Sequence, residues 1–290
     1  MDSFSGKLAV VTGGGSGMGR ELVRQLAAQG CSVAACDLNA DAVAETAALA
    51  REDAPPAVRV SGHACDVAEE AQVLRFRDEL LAEHDCDHVD LVFSNAGIGG
   101  GGSFVNDRRE DWERTFAVDW WGVYYCARAF LPLLIASGDG VLVNTSSVNG
   151  FWATLGPGMP NTAYCAAKFA VKGFTEALIE DLRTNAPQVR VAVVMPGHVG
   201  TDIIANSMRA HSVLPESGPL TGAQEERRAE LIRRGALAEG GHDHPGRGAI
   251  RRLADPRRPG RRGPRRVRPR EAGRGLRLRL AGQHGGAERR

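Results

Sequence analysis

Short apolar runs alternate with amphipathic stretches along the first two thirds of the chain. Leu8–Val11 is an apolar run that stops at a glycine-rich turn, as a strand buried on both faces should. Helix-forming residues follow from about Met18 to Gln29, with Leu22, Val23 and Leu26 on one face and Gly30 as the stop. A second strand, Ser32–Cys36, ends at Asp37. Beyond it come a helix over about Asp41–Arg51, a strand near Val58–Cys65 and a helix over about Ala68–Glu83. A fourth strand at Leu91–Ser94 leads into one long helix over about Glu110–Leu134, then a strand at Val141–Thr145. A helix carrying Tyr164 and Lys168 runs to about Arg183, and Val189–Met195 makes a sixth strand. Strands alternating with helices predict an α/β fold, a parallel sheet doubly wound with helices on both faces in a single Rossmann-like domain.

This alternation fades after about Ala205 and is gone from Pro245 onward. The net charge of +1 conceals two unlike segments: residues 1–243 carry −12, whereas residues 244–290, with 16 arginines and 3 acids, carry +13. Arg, Gly and Pro make up 30 of those last 47 residues, and no aromatic residue follows Phe174. Such a segment cannot bury enough apolar surface to offset its chain entropy. The expected division is a globular domain over 1–235 and a disordered or aberrant tail over 236–290. A shifted reading frame in a GC-rich gene would produce this mixture; the encoding DNA translated in its other frames tests that idea. The competing reading is that the arginines bind a polyanion, against which stands the lack of aromatic residues for base stacking.

The chain has 290 residues and 43% apolar content, enough for a buried core, with no run near the ~18 apolar residues of a membrane span. No basic region followed by an apolar stretch opens the sequence, so no secretory signal is expected and the cytoplasm is the expected location. Six cysteines without a Cys-x-x-Cys pair read as buried free thiols rather than a disulfide framework or zinc site. His198 and the pair His242 and His244 have too few partners to make a metal site, and no metal is expected.

Two features carry chemistry. The first is the turn Thr12-Gly13-Gly14-Gly15-Ser16-Gly17-Met18-Gly19, placed between a strand and a helix. Its glycines allow a tight turn and close backbone approach, and the helix N-terminus offers amide donors and a positive dipole end to a dinucleotide phosphate. Asp37 lies 18 residues after Gly19, where a carboxylate accepts hydrogen bonds from ribose hydroxyls and repels a 2′-phosphate. Neither Ser16 nor Leu38 is basic, so NAD is expected in preference to NADP. The second feature is Tyr164 and Lys168, four residues apart on one helix face. An ammonium beside a phenol favours the phenolate and should pull its pKa from ~10 towards neutrality.

Over about residues 5–205 the chain resembles the short-chain dehydrogenase/reductase family. The likeness rests on Thr12-Gly13…Gly17-x-Gly19, Asp66, Asn95-Ala96-Gly97, Ser147, Tyr164-x-x-x-Lys168 and Pro196-Gly197-x-Val199-x-Thr201. The resemblance implies an NAD-dependent oxidoreductase that moves hydride between nicotinamide and a secondary alcohol or ketone. It makes Tyr164 the general acid/base, Lys168 the residue that tunes it, and Ser147 the group that polarises the reacting oxygen. It assigns Gly13, Ser16, Gly17, Met18, Gly19 and Asp37 to the cofactor's phosphates and ribose, Asp66 and Val67 to the adenine, and Asn95, Ala96 and Gly97 to the side of the cofactor. Tyr164, Lys168, Pro196, Gly197, Val199 and Thr201 fall beside its nicotinamide half. It also implies a homodimer or homotetramer built on the long helices. A non-enzymatic NAD-binding sensor on the same fold is the alternative, against which the intact Ser147, Tyr164 and Lys168 stand.

Two departures stand out. Where the family carries an asparagine three residues before a glycine in the middle helix, this chain has Asp119 before Gly122; it is expected among the catalytic residues, either keeping the asparagine's part in the proton relay or altering Lys168 through its charge. The spacing from Ser147 to Tyr164 is also longer than usual, with the extra residues in the turn-rich stretch 154–160. Phe151, Trp152, Leu155 and Met159 nearby fit either an apolar substrate face or ordinary packing. Trp120 and Trp121 read as helix-packing or subunit-contact residues.

Overall fold

The structure, a computed structural model, describes residues 3–153, 160–197 and 203–211, together with Gly222 and Glu226. Six parallel strands form one sheet: β1 (Leu8–Thr12), β2 (Ser32–Asp37), β3 (Val60–Ala64), β4 (Leu91–Ser94), β5 (Val141–Thr145) and β6 (Arg190–Val194), in the order β3-β2-β1-β4-β5-β6. The doubly wound α/β sheet expected from the alternation is therefore present. Registers such as Val10↔Ala34, Val10↔Val92 and Val92↔Leu142 align the strands so that their C-terminal ends finish along one edge.

Side chains alternate across the sheet, and each face builds its own core. Ala9 and Val11 pack with Val23 and Leu26 of helix α1 (Gly17–Ala28) and with Val43 and Ala47 of helix α2 (Ala40–Glu52). Leu8 and Val10 face the other way, towards Phe76 and Leu80 of helix α3 (Glu70–His84) and Phe130 and Leu134 of helix α5 (Gly122–Ala136). Phe76 and Phe130 meet edge to face with centroids 5.9 Å apart. Burial on both faces is why β1 reads as an unbroken apolar run.

The middle helix is not continuous. Helix α4 (Arg109–Phe116) passes through a π turn, Ala117–Trp121, before α5 begins. The single helix expected over Glu110–Leu134 is corrected accordingly: one residue is squeezed in, and the register of the facing side chains shifts at Asp119. Helix α6 (Thr162–Asn185) carries Tyr164 and Lys168, and helix α7 (Ile203–Ala210) follows β6. The third strand starts two residues later than expected, because the Val58 N–H closes a turn onto the Pro55 carbonyl instead of joining the ladder.

All six cysteines are free thiols; five are buried and Cys86 is half-buried. No helix among the described residues is long and apolar enough to cross a membrane. The tail expected over 236–290 lies outside the described residues.

Candidate functional site: the crevice at the ends of β1, β4 and β5

The chain reverses direction of winding between β1 and β4, which opens a crevice beyond their C-terminal ends. One hydroxyl fixes both sides of it. Thr12 Oγ1 accepts the Asn95 and Ala96 amides, each at 3.0 Å, and the Asn95 Nδ2 donates back to the Thr12 carbonyl at 3.1 Å.

The glycine turn then leaves β1 with Gly13 and Gly17 at φ +66° and +50°, the left-handed region that only glycine adopts without strain. A Cβ on Gly13 would meet the Ala96 Cα at 2.8 Å, and one on Gly19 would land on the Gly13 carbonyl. Ser16, at the N-cap of α1, makes no side-chain bond to the first turn. The Gly14 and Gly15 amides are taken by the Cys36 carbonyl and Asp37, but the first-turn amides of α1 have no side-chain cap, and the residues present suit a dinucleotide phosphate. Met18 lies half-buried in that first turn.

Asp37 ends β2. Its Oδ2 accepts the Gly15 amide at 2.9 Å and its Oδ1 the Asn39 amide at 3.0 Å, which holds the carboxylate against the turn with lone pairs still free. Asp66 sits after β3, where it accepts the Ala68 amide at 3.0 Å and pairs with Arg114 at 2.8 Å. The Val67 side chain is buried against Gly122, so only its backbone can face a ligand.

Across the crevice, β5 leads directly into Ser146 and Ser147. The Ser146 hydroxyl donates to the Lys168 carbonyl at 2.7 Å, which ties the strand end to α6. Ser147 is buried, accepts the Asn149 amide at 3.2 Å and lies close enough to Tyr164 for its hydroxyl to lower the phenol's pKa. Lys168 extends beneath Tyr164 with its Nζ 5.4 Å from the ring centre, donates to the Thr145 carbonyl at 3.3 Å, and forms an ion pair of 3.1 Å with Asp119. The structure thus brings Ser147, Tyr164, Lys168 and Asp119 together. Pro196 lies beside them, its carbonyl accepting the Val148 amide at 3.0 Å, with Gly197 next in the chain. Val199 and Thr201 lie outside the described residues, as do Leu155 and Met159.

The electrostatics overturn one expectation. Burial pushes the Tyr164 phenol above its ordinary value; the Lys168 charge and the Ser147 hydroxyl pull it down, and Asp119 pushes it up again. The lowering expected from the Tyr–Lys spacing does not emerge, chiefly because burial outweighs the ammonium, with the Asp119 carboxylate adding to the rise. For Lys168, burial acts downward but the Asp119 carboxylate and Tyr164 overcome it and hold the ammonium above its usual range. Burial raises the Asp119 carboxyl despite the attraction of Lys168.

Sequence reasoning placed a helical segment after residue 202 over the substrate side, but missed Gly99–Gly102 and the contacts that α7 makes with the glycine turns. Asn206 of α7 donates to the Ser16 hydroxyl at 2.9 Å, and Ser207 accepts the Gly99 amide at 2.7 Å. His211, just past α7, contacts the Gly99 carbonyl at 3.0 Å and Thr115 Oγ1 at 3.2 Å. The run of four glycines was the available signal: a Cβ on Gly101 would meet Ala163 at 2.6 Å and Trp112 at 2.8 Å. Phe151 and Trp152 are 57% and 72% exposed, so they are not core-packing residues. Trp120 packs edge to face on Phe174 at 5.5 Å.

Comparison with known proteins agrees with this geometry. The family model for short chain dehydrogenases matches residues 7–211. The chain belongs to the short-chain dehydrogenase family. It is 41% identical over 207 residues to SadH of Mycobacterium tuberculosis, covering 71% of this chain and 72% of SadH. Among solved structures, a short-chain dehydrogenase/reductase from Burkholderia phymatum in complex with NAD superposes with a TM-score of 0.71 at 31% identity, over 88% of this chain and 89% of that one. A metagenomic short-chain oxidoreductase in complex with NADP gives 0.59 at 30% identity, over 72% and 90%. Short-chain dehydrogenases similar to this chain therefore hold either nicotinamide dinucleotide, and the chain is an oxidoreductase of this family.

Proposed function

We propose that this chain interconverts secondary alcohols and ketones, with NAD preferred over NADP. The observation that carries the reading is the meeting of Tyr164, Ser147 and Lys168 at one end of a crevice whose other end is a glycine turn suited to pyrophosphate. The nicotinamide supplies or accepts the hydride when bound. Gly13, Ser16, Gly17, Met18 and Gly19 would hold the phosphates, Asp37 the adenosine ribose, and Asp66 and Val67 the adenine side. Asn95, Ala96, Gly97, Pro196, Gly197, Val199 and Thr201 would line the path to the nicotinamide.

The Tyr164 hydroxyl gives a proton to the carbonyl oxygen or takes it from the alcohol. The Ser147 hydroxyl donates to the same oxygen and steadies developing alkoxide charge. Lys168, from below, orients Tyr164 and reaches towards the nicotinamide ribose. Asp37 beside the Gly15 amide supports NAD, because a 2′-phosphate there would face a carboxylate. Exposed Phe151 and Trp152 would supply an apolar wall to the substrate side.

The dehydrogenase domain is proposed to occupy residues 1–235, in the cytoplasm, as a homodimer or homotetramer packed through α4, α5 and α6. The test is NAD-linked turnover on a panel of secondary alcohols and ketones, with NADP alongside. Tyr164→Phe should lower kcat by about 10²-fold or more while NAD binding is kept. Full turnover in that variant, or no binding of either dinucleotide by the parent chain, refutes the proposal.

A further inference from the structure

Asp119 gives this proton-handling site a charge that a Tyr–Lys pair alone would lack. Its side chain is fully buried, and its Oδ1 lies 3.1 Å from Lys168 Nζ and 3.2 Å from the Ile98 amide. Its Oδ2 is buried without a hydrogen-bond partner among the described residues. Asp119 lies within the π turn Ala117–Trp121, and Gly97 leaves its side chain room: a Cβ there would stand 2.6 Å from Oδ1 and 3.2 Å from Lys168 Nζ. A neutral side chain would satisfy the Ile98 amide equally well. The feature that needs the carboxylate is the ammonium.

Lys168 is 3% exposed, so its charge is poorly screened and would act strongly on Tyr164 if it stood alone. With the carboxylate in contact, Tyr164 senses a near-neutral pair. Among the described residues, the other titratable groups that act on this pair are His211, near Asp119, and Cys165, beside Tyr164.

We propose that Asp119 is a positioning residue that holds Lys168 and cancels most of its charge at the Tyr164 oxygen. Tyr164 therefore carries its proton at neutral pH, which suits it to donate to a carbonyl, and alcohol oxidation moves to alkaline pH. This deepens the proposed function and rests on Tyr164 being its acid/base.

The experiment is a pair of titrations on Asp119→Asn. Asparagine keeps an acceptor for Lys168 and Ile98 while removing the charge. The chain has only three tyrosines, so tyrosinate absorbance of the cofactor-free protein, with Tyr164→Phe as the subtraction, follows Tyr164 directly. Its midpoint should fall by about one pH unit or more in Asp119→Asn. The pH–rate profile of alcohol oxidation should move down by the same amount, about tenfold in rate at neutral pH. An unmoved midpoint in Asp119→Asn, or a pH–rate profile that does not follow the midpoint, overturns the proposal. Should Asp119→Asn fail to fold, Asp119→Ser makes the same comparison. The absorbance titration needs no turnover, so a chain that proves inactive on every alcohol refutes the function while leaving this inference to stand or fall by itself.

Discussion

Gly19→Ala tests whether the turn between β1 and α1 is shaped for close backbone approach. The added methyl would land on the Gly13 carbonyl oxygen, with the Gly13 carbonyl carbon at 2.7 Å and Asn95 Nδ2 at 2.9 Å. Real Cβ contacts essentially never come under 3.0 Å, and two of these three neighbours are backbone, so the turn itself must retreat. Overpacking of this kind costs about 1–3 kcal/mol. The cost appears in one of two places. If the turn stays put, folding stability falls by that amount; if it moves away, stability is kept and dinucleotide affinity falls by about 5-fold to 150-fold. Urea unfolding and calorimetric titration with NAD measure the two parts, which should together account for the penalty. Gly173→Ala in α6 is the control, since its Cβ meets nothing within 4 Å. It should gain about 0.5–1 kcal/mol from reduced chain entropy. Wild-type stability together with wild-type affinity in Gly19→Ala would refute the argument.

Three further outcomes are expected. Asp37→Ala removes the carboxylate that faces the turn, and the kcat/KM ratio of NAD over NADP should fall by about tenfold or more; an unchanged ratio in steady-state assays would place the selectivity elsewhere. Asp90 is buried at the start of the β4 strand region, where it pairs with Lys7 at 2.8 Å and accepts the Leu8 amide at 2.9 Å; Asp90→Ala should cost about 1.5–3 kcal/mol by urea midpoint with no change in m. Burial lowers the His84 pKa below its ordinary value while its Nε2 bonds Ser61 at 2.9 Å. The unfolded chain then binds that proton first, so this stabilisation is present above about pH 6.5 and is lost as pH falls from there through the folded value. The urea midpoint of His84→Gln should vary less with pH between 7.5 and 5.5 than that of the parent chain, and equal slopes would count against it.

Much of the architecture was readable because it rests on local periodicity. Leu91–Ser94 and Val141–Thr145 were bounded correctly, since apolar runs flanked by turn residues leave little ambiguity about strands buried on both faces. The π turn at Ala117–Trp121 was not readable, because one inserted residue in a helix leaves the apolar pattern almost intact. The direction at Tyr164 was misjudged because no spacing shows how deeply a phenol is buried, although Asp119 was flagged for its charge. Tyr164 and Lys168 share a helix and are visible as a pair, whereas Asp119 reaches them from another helix, through space that Gly97 leaves open. Likewise, the links of Ser207 and His211 to Gly99 join segments more than a hundred residues apart, and no spacing rule connects them.

The Thr12 hydroxyl has a consequence for how this crevice can be altered. Because it receives both the Asn95 and Ala96 amides, the strand end that leads into the glycine turn and the segment that follows β4 are latched by one oxygen atom. Widening the turn drags its neighbour along. A redesign for a bulkier nucleotide would therefore succeed only as a matched set of changes on both strands, and one made on a single side should lose grip on the ligand rather than swap it.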